Sequence, residues 1–170
     1  ASFDSMVKDT NPVRRAAKLL ELVAKEKMKL AKAVGSNGTV VVNLDNAALL
    51  PHINDVRARR LSIGKDKKSS IRIVKTKLSS HGFSATYEYD HVEHELTLAD
   101  IFGPEFSTTF AAALAVGVSL GISIEQGIKA LKSYRAPAGR MRVFRGIKGT
   151  HIIDSSYNAS PDTVVSALST

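Results

Sequence analysis

Asp154, Ser155, Ser156, Tyr157 and Asn158 form an unbroken run of an acid, two hydroxyls, a phenol and an amide directly after the apolar pair Ile152-Ile153. Ser160 is a good helix N-cap and Pro161 suits a first helical position, so the run reads as the end of a buried strand passing into a helix. Acceptors, donors and free backbone N–H groups then converge at one strand end, which is where open α/β sheets hold their ligands. The stretch Ala138-Gly139-Arg140-Met141 precedes it and adds a guanidinium. A plain capped turn uses the same residue types and is the commoner outcome for any one such run.

Composition narrows the partners. The chain has 170 residues, 44% of them apolar but only 6% aromatic, with no Trp. That supports an aliphatic core and is enough for one domain or pieces of two. No Cys is present, which excludes disulfides, thiolate metal sites and cysteine nucleophiles. The most apolar stretch, 110–124, is broken by Gly117, Ser119 and Gly121 and is no bilayer span. There is no basic-then-apolar leader pattern, and the whole fits a cytoplasmic protein. A net charge of +8 suits an anionic partner, a phosphorylated small molecule or nucleic acid. No aromatic residues interleave with the lysines of Lys65-Asp66-Lys67-Lys68, which weighs against base stacking and favours a solvated basic loop.

The elements that would position the polar run follow from pattern. Asn11-Pro12 starts a helix whose apolar stripe runs through Val13, Leu20, Ala24, Met28 and Leu30 and ends at the Gly35–Gly38 cluster. Residues 39–44 are a β-branched run, apolar on both sides as in a central parallel strand, closed by Asn43, Asp45 and Asn46. A short helix around Pro51 is expected within 47–59, then a short strand at 61–63. Residues 71–78, 83–89 and 92–98 alternate as an antiparallel meander with one wet face. Residues 106–120 form an Ala-rich helix, and Ser123 with Gln126 is a capping-box pattern for another, reaching about Tyr134. Ala136-Pro137-Ala138-Gly139 is the linker candidate, and a hairpin follows with Lys148-Gly149 at its turn. A last helix starts near Pro161. The first helix has no strand before it and the last is cut at Thr170, so a fragment is expected.

The ordered set of segments resembles the Mur ligase family, the ATP-dependent amide ligases of peptidoglycan synthesis, and most nearly its D-alanyl-D-alanine-adding branch. The likeness runs from about residue 24 to residue 168. It is carried by Ala24-Lys25-Glu26-Lys27, by Gly38-Thr39-Val40-Val41-Val42-Asn43-Leu44-Asp45-Asn46, by the Ala-rich helix, by Gly139-Arg140-Met141, and by Asp154-Ser155-Ser156-Tyr157-Asn158-Ala159-Ser160-Pro161-Asp162. The resemblance implies an α/β fold: part of a central ATP-binding domain, with a parallel sheet, an antiparallel meander and flanking helices, over 1–135. Residues 136–170 would open a Rossmann-like C-terminal domain. It implies ATP and Mg2+ as cofactors, a UDP-muramoyl peptide and D-alanyl-D-alanine as substrates of the parent enzyme, and an acyl-phosphate mechanism. Arg140 would reach ATP, Asp154 would accept from the ribose hydroxyls, and Tyr157 and Asn158 would line the nucleotide edge. Lys27 aligns with a lysine carbamylated to ligate magnesium; on its own it is one more helix lysine.

Three departures stand against the pattern. Phe106 occupies the position of the family's adenine-contacting Asn and Thr109 that of the next Asn; a Phe can stack on a base but cannot read its edge. Val13 falls near the position of a metal-binding His. No Gly-x-x-x-x-Gly-Lys-Ser/Thr loop is present, since Gly64-Lys65 lacks the earlier Gly. The chain by itself is therefore expected to be inactive. A non-catalytic binding module derived from the family, and a small basic nucleic-acid-binding protein, remain as alternatives.

Overall fold

In the computed structural model, residues 3–79, 82–157 and 161–168 are described. Helix α1, Pro12–Ala33, starts where the sequence places it: the Asn11 side chain accepts from the Val13 and Arg14 N–H groups at 3.1 Å each. Five strands follow in spatial and chain order: β1 Thr39–Asn43, β2 Arg59–Gly64, β3 Ile71–Ser79, β4 Gly82–Tyr89 and β5 Val92–Leu98. β1 and β2 pair in parallel, β3 with β4 and β4 with β5 antiparallel. β2 and β3 are also parallel but meet only at Ile63 with Ile71 and Gly64 with Arg72. The sheet therefore steps at this corner, and the short basic loop at 65–70 suffices where a full parallel crossover would need about a dozen residues.

Alternation sets the faces. Phe83, Ala85 and Tyr87 of β4 and Leu96 and Leu98 of β5 are buried, while Glu93, Glu95 and Thr97 face water, as the meander pattern predicts. Helices α2, Phe106–Ser119, and α3, Ile124–Leu131, cover the apolar face. The capping box is formed: Gln126 N–H donates to Ser123 Oγ at 3.3 Å and Ser123 N–H to Gln126 Oε1 at 3.1 Å. The Tyr87 hydroxyl donates to the Ser107 carbonyl at 3.1 Å and ties β4 to the first turn of α2. Burial pushes that phenol's pKa up, so it stays neutral. Tyr87→Phe should lower stability by about 1 kcal/mol, read as a lower denaturant midpoint with unchanged slope.

Four sequence expectations are corrected. β1 is an edge strand of the described sheet, with β2 as its partner among the described residues. Its double-sided apolar character serves two layers: Val41 packs toward α2 and Val40 toward α1. The stripe of α1 is largely uncovered. Only Ala24 and Met28 are buried, whereas Val13 and Leu30 are 76% and 77% exposed. Met28 with Val56 and Ala58 forms the small cluster that holds α1 down. The helix expected within 47–59 is a 3-10 turn, Leu50–Asp55, because Pro51 removes a donor and the connection from β1 to β2 leaves little room for a longer element.

The last correction concerns the C-terminal hairpin. β6, Arg142–Arg145, and β7, His151–Asp154, pair antiparallel around a turn with Lys148 at φ 55, and α4, Pro161–Leu168, follows. The expected buried strand is not buried, since Ile152 is 56% exposed. A two-stranded ribbon covers neither face by itself. One bridge, Ile101 to Arg142, joins it to the main body. No described helix is long and apolar enough to cross a membrane.

Candidate functional site

The pocket that unites the sequence's candidate residues lies at the junction of α2, the linker and the end of β7. It has a volume of about 280 Å³ and is lined by Phe106, Thr109, Tyr134, Arg140 and Tyr157, with Glu105 at its edge. These residues come from three separate stretches of chain. The start of α2 presents Glu105, Phe106 and Thr109; the stretch from Tyr134 through the linker supplies Tyr134 and Arg140; the polar run carries Tyr157.

The linker turn is fixed at Gly139. Its N–H donates to Asp154 Oδ2 at 2.9 Å, and its carbonyl accepts from the Tyr157 N–H at 3.0 Å. The φ of +74° suits a glycine, and a Cβ here would stand 3.0 Å from the Tyr157 Cβ. Met141, on the other side of Arg140, also has a positive φ, 56°, and is buried. Arg140 is thus displayed outward between two fixed residues. Its guanidinium carbon sits 4.1 Å from the Tyr157 ring centroid, a cation–π pair in which both members remain exposed.

Asp154 is already well used. Oδ1 accepts from the Ser156 N–H at 3.1 Å and the Ser156 hydroxyl at 2.6 Å, while Oδ2 takes Gly139. About one of its roughly four lone-pair positions is left over. The Ser156 hydroxyl and N–H, then the Gly139 N–H and nearby Arg142, hold its pKa below the ordinary 3.8. A lowered carboxylate stabilises the fold above its unfolded value and loses that contribution as pH falls through the lower folded value. The turn is therefore closed at neutral pH.

Phe106 is a wall rather than an open platform. It is 6% exposed, stacks on Phe110 at 5.6 Å between centroids and meets Tyr134 edge-on at 6.0 Å. Burial raises the Tyr134 phenol's pKa, and the charge of Arg140 partly offsets this, so the two groups feel each other across the pocket. Tyr134 and Glu105 escaped the sequence reading.

Other candidates lie elsewhere. Lys27 is exposed on α1 and lines no part of this pocket. Asn158 lies outside the described residues. At the end of β1, Asn43 accepts from the Asp45 N–H and Asn46 from the Ala48 N–H within local turns, while Asp45 accepts from the Lys65 N–H at 2.9 and 3.1 Å and ties the end of β1 to the end of β2. A larger hollow of about 540 Å³ at the start of α1 contains none of the candidates.

The residues fit a nucleotide better than a metal. Arg140 and Glu105 are the charged residues of the lining, beside the aromatic Phe106, Tyr134 and Tyr157. No group of three His, Cys, Asp or Glu that could hold a metal ion is found among the described residues.

Comparison with known proteins gives the fold its context. No family model matches the chain. It is 28% identical over 151 residues to the UDP-N-acetylmuramoyl-tripeptide–D-alanyl-D-alanine ligase of Mycobacterium tuberculosis, a match covering 87% of this chain and 29% of that protein. The MurF ligase of Thermotoga maritima, solved in complex with ADP, superposes with a TM-score of 0.74 and 23% identity, over 90% of this chain and 34% of that one. MurF from Acinetobacter baumannii superposes with a TM-score of 0.72 and 17% identity, over 85% and 31% of the two chains. The chain is similar to these ligases over most of its own length and has the α/β fold of the corresponding region. It spans 29% of the length of the mycobacterial relative.

Proposed function

We propose that this chain is part of an ATP-dependent amide ligase of peptidoglycan precursor synthesis, one that joins D-alanyl-D-alanine to a UDP-muramoyl peptide. Residues 1–135 are then part of its central domain and 136–170 the opening of its C-terminal domain. The observation that carries the reading is the junction pocket. Arg140 and Tyr157 fall in segments that resemble the ligases in order, Phe106 stands where the resemblance places an adenine-contacting residue, and all three line one cavity.

ATP, when bound, supplies the phosphoryl group that activates the substrate carboxylate for attack by the incoming amine. The residues of this chain bind and orient. Tyr134, Phe106 and Tyr157 offer apolar and aromatic surface to a base and ribose. Arg140 donates to phosphate oxygens, and its planar fork matches such an anion in a bidentate fashion. Lys27, exposed on α1, has no part in the pocket.

The test is a titration of the chain with ADP followed by calorimetry. Saturable binding is expected, and Arg140→Ala should weaken it about 10- to 100-fold, the loss of one charge-assisted contact. Equal affinity in the variant would remove Arg140, and with it this reading of the pocket. No ATP-dependent ligation is expected of the chain alone; turnover by it would overturn that part.

The burial of Phe106 favours a second reading, a binding module derived from the family without catalysis. Its ring is closed off by Phe110 at the position where the ligases use an adenine-reading Asn. Turnover by the intact parent protein with ATP, magnesium and both substrates would eliminate it.

A further inference from the structure

We infer that Asp154 is a positioning residue: by binding the Gly139 N–H it holds the turn that presents Arg140 and Tyr157 at the mouth of the junction pocket. The inference deepens the nucleotide reading of that pocket and rests on it for its purpose. The geometry itself stands apart from any ligand.

Gly139 is tied in both directions to the segment 154–157. Its N–H reaches Asp154 Oδ2 at 2.9 Å and its carbonyl receives the Tyr157 N–H at 3.0 Å. Arg140 is then bracketed. On one side is Gly139, φ +74°; on the other is Met141, φ 56°, only 4% exposed and part of the main core. A left-handed methionine is a strained conformation that persists only where its surroundings over-determine it. Burial fixes one bracket and Asp154 fixes the other. The Arg140 N–H closes the turn on the Pro137 carbonyl at 3.2 Å.

The carboxylate is suited to this task. Ser156 holds Oδ1 through two bonds, so the group cannot swing, and Oδ2 is left aimed at Gly139. Both oxygens act as acceptors. A carboxamide has one acceptor oxygen and an NH2 that only donates. A carboxamide whose oxygen faces Gly139 keeps that contact and can still donate its NH2 to the Ser156 hydroxyl, losing only the Ser156 N–H, so truncation in Asp154→Ala is the change that removes the tie.

The decisive measurement is solution NMR of the unliganded chain. The Tyr157 ring, 4.1 Å from the Arg140 guanidinium carbon, should displace the Arg140 side-chain protons from the position of an exposed arginine. Tyr157→Leu defines the undisplaced value. In Asp154→Ala the Gly139 amide should move upfield and the Arg140 protons should return to the undisplaced value, while Leu96 and Ile71 methyls in the core stay in place. Retention of the Arg140 displacement would overturn the inference. Should Asp154→Ala lose its core dispersion, Ser156→Ala serves instead: it frees one bond to Oδ1 and should reduce the displacement in part, and no change would count against the inference.

ADP and adenosine separate positioning from general packing. Asp154→Ala should weaken ADP about tenfold, the effect of losing one aligned charge-assisted contact, and leave adenosine unchanged. Equal weakening of both would mark a packing role and overturn the inference. Absence of binding by the unaltered chain would sink the nucleotide reading, while the unliganded Arg140 signal would still decide the role of Asp154.

Discussion

Phe110→Ala should cost about 3–5 kcal/mol of folding stability and should disorder the junction pocket in the same step. Phe110 is 1% exposed and is the hinge of an aromatic cluster. Its ring meets Phe83 of β4 edge-on at 5.6 Å, stacks on Phe106 at 5.6 Å and meets Tyr134 edge-on at 5.1 Å. Truncation removes the transfer energy of the ring and leaves a cavity between the sheet and α2, with well-packed neighbours slow to collapse into it. A domain of this size has only about 5–15 kcal/mol in total, so the loss is a large share. Two of the three ring partners, Phe106 and Tyr134, are also pocket walls. Denaturant unfolding should therefore show the midpoint drop, and ADP affinity should fall at temperatures where the variant remains folded. A loss under 1 kcal/mol would mean that the cluster repacks and does not support the pocket.

What the sequence made legible was local. Asn11 before Pro12, Ser123 with Gln126, and the strict alternation of β4 and β5 each encode their structure within a few residues, and each is formed as read. What it left hidden depends on distant partners. Val40 and Val41 look alike in sequence, yet one packs toward α1 and the other toward α2, and nothing local says that β1 borders the described sheet. The stripe of α1 has helical period but meets too little surface to be covered. At the site, the order of the segments identified Arg140, Tyr157 and Phe106, all of which reach the pocket. It could not tell that the Phe106 ring turns inward onto Phe110, or that Asp154 bonds a glycine in the linker fifteen positions earlier. Tyr134 was missed because its place in the pocket is set by α3 packing rather than by any motif.

Gly82→Ala should be nearly as damaging as the loss of Phe110, by a different route. Gly82 opens β4 at φ +114°, a conformation that costs a side-chain-bearing residue about 1–3 kcal/mol. A Cβ would also lie 2.2 Å from the Leu98 carbonyl oxygen and 2.5 Å from that of Ala99. Both obstacles are backbone, so no rotamer change relieves them. Relief requires β4 and the end of β5 to part, and their register there, Phe83 opposite Leu98, joins two buried core residues. The expected loss is on the order of 3 kcal/mol. Gly35→Ala is the matched control, because a Cβ there meets nothing within 4 Å and the backbone is not left-handed; it should fall within about 0.5 kcal/mol of the unaltered chain. Thermal or denaturant unfolding of the pair decides the matter. A Gly82→Ala midpoint matching that of Gly35→Ala would mean that the β4–β5 end is loose enough to admit a methyl group, and the close approach seen there would carry no energetic weight.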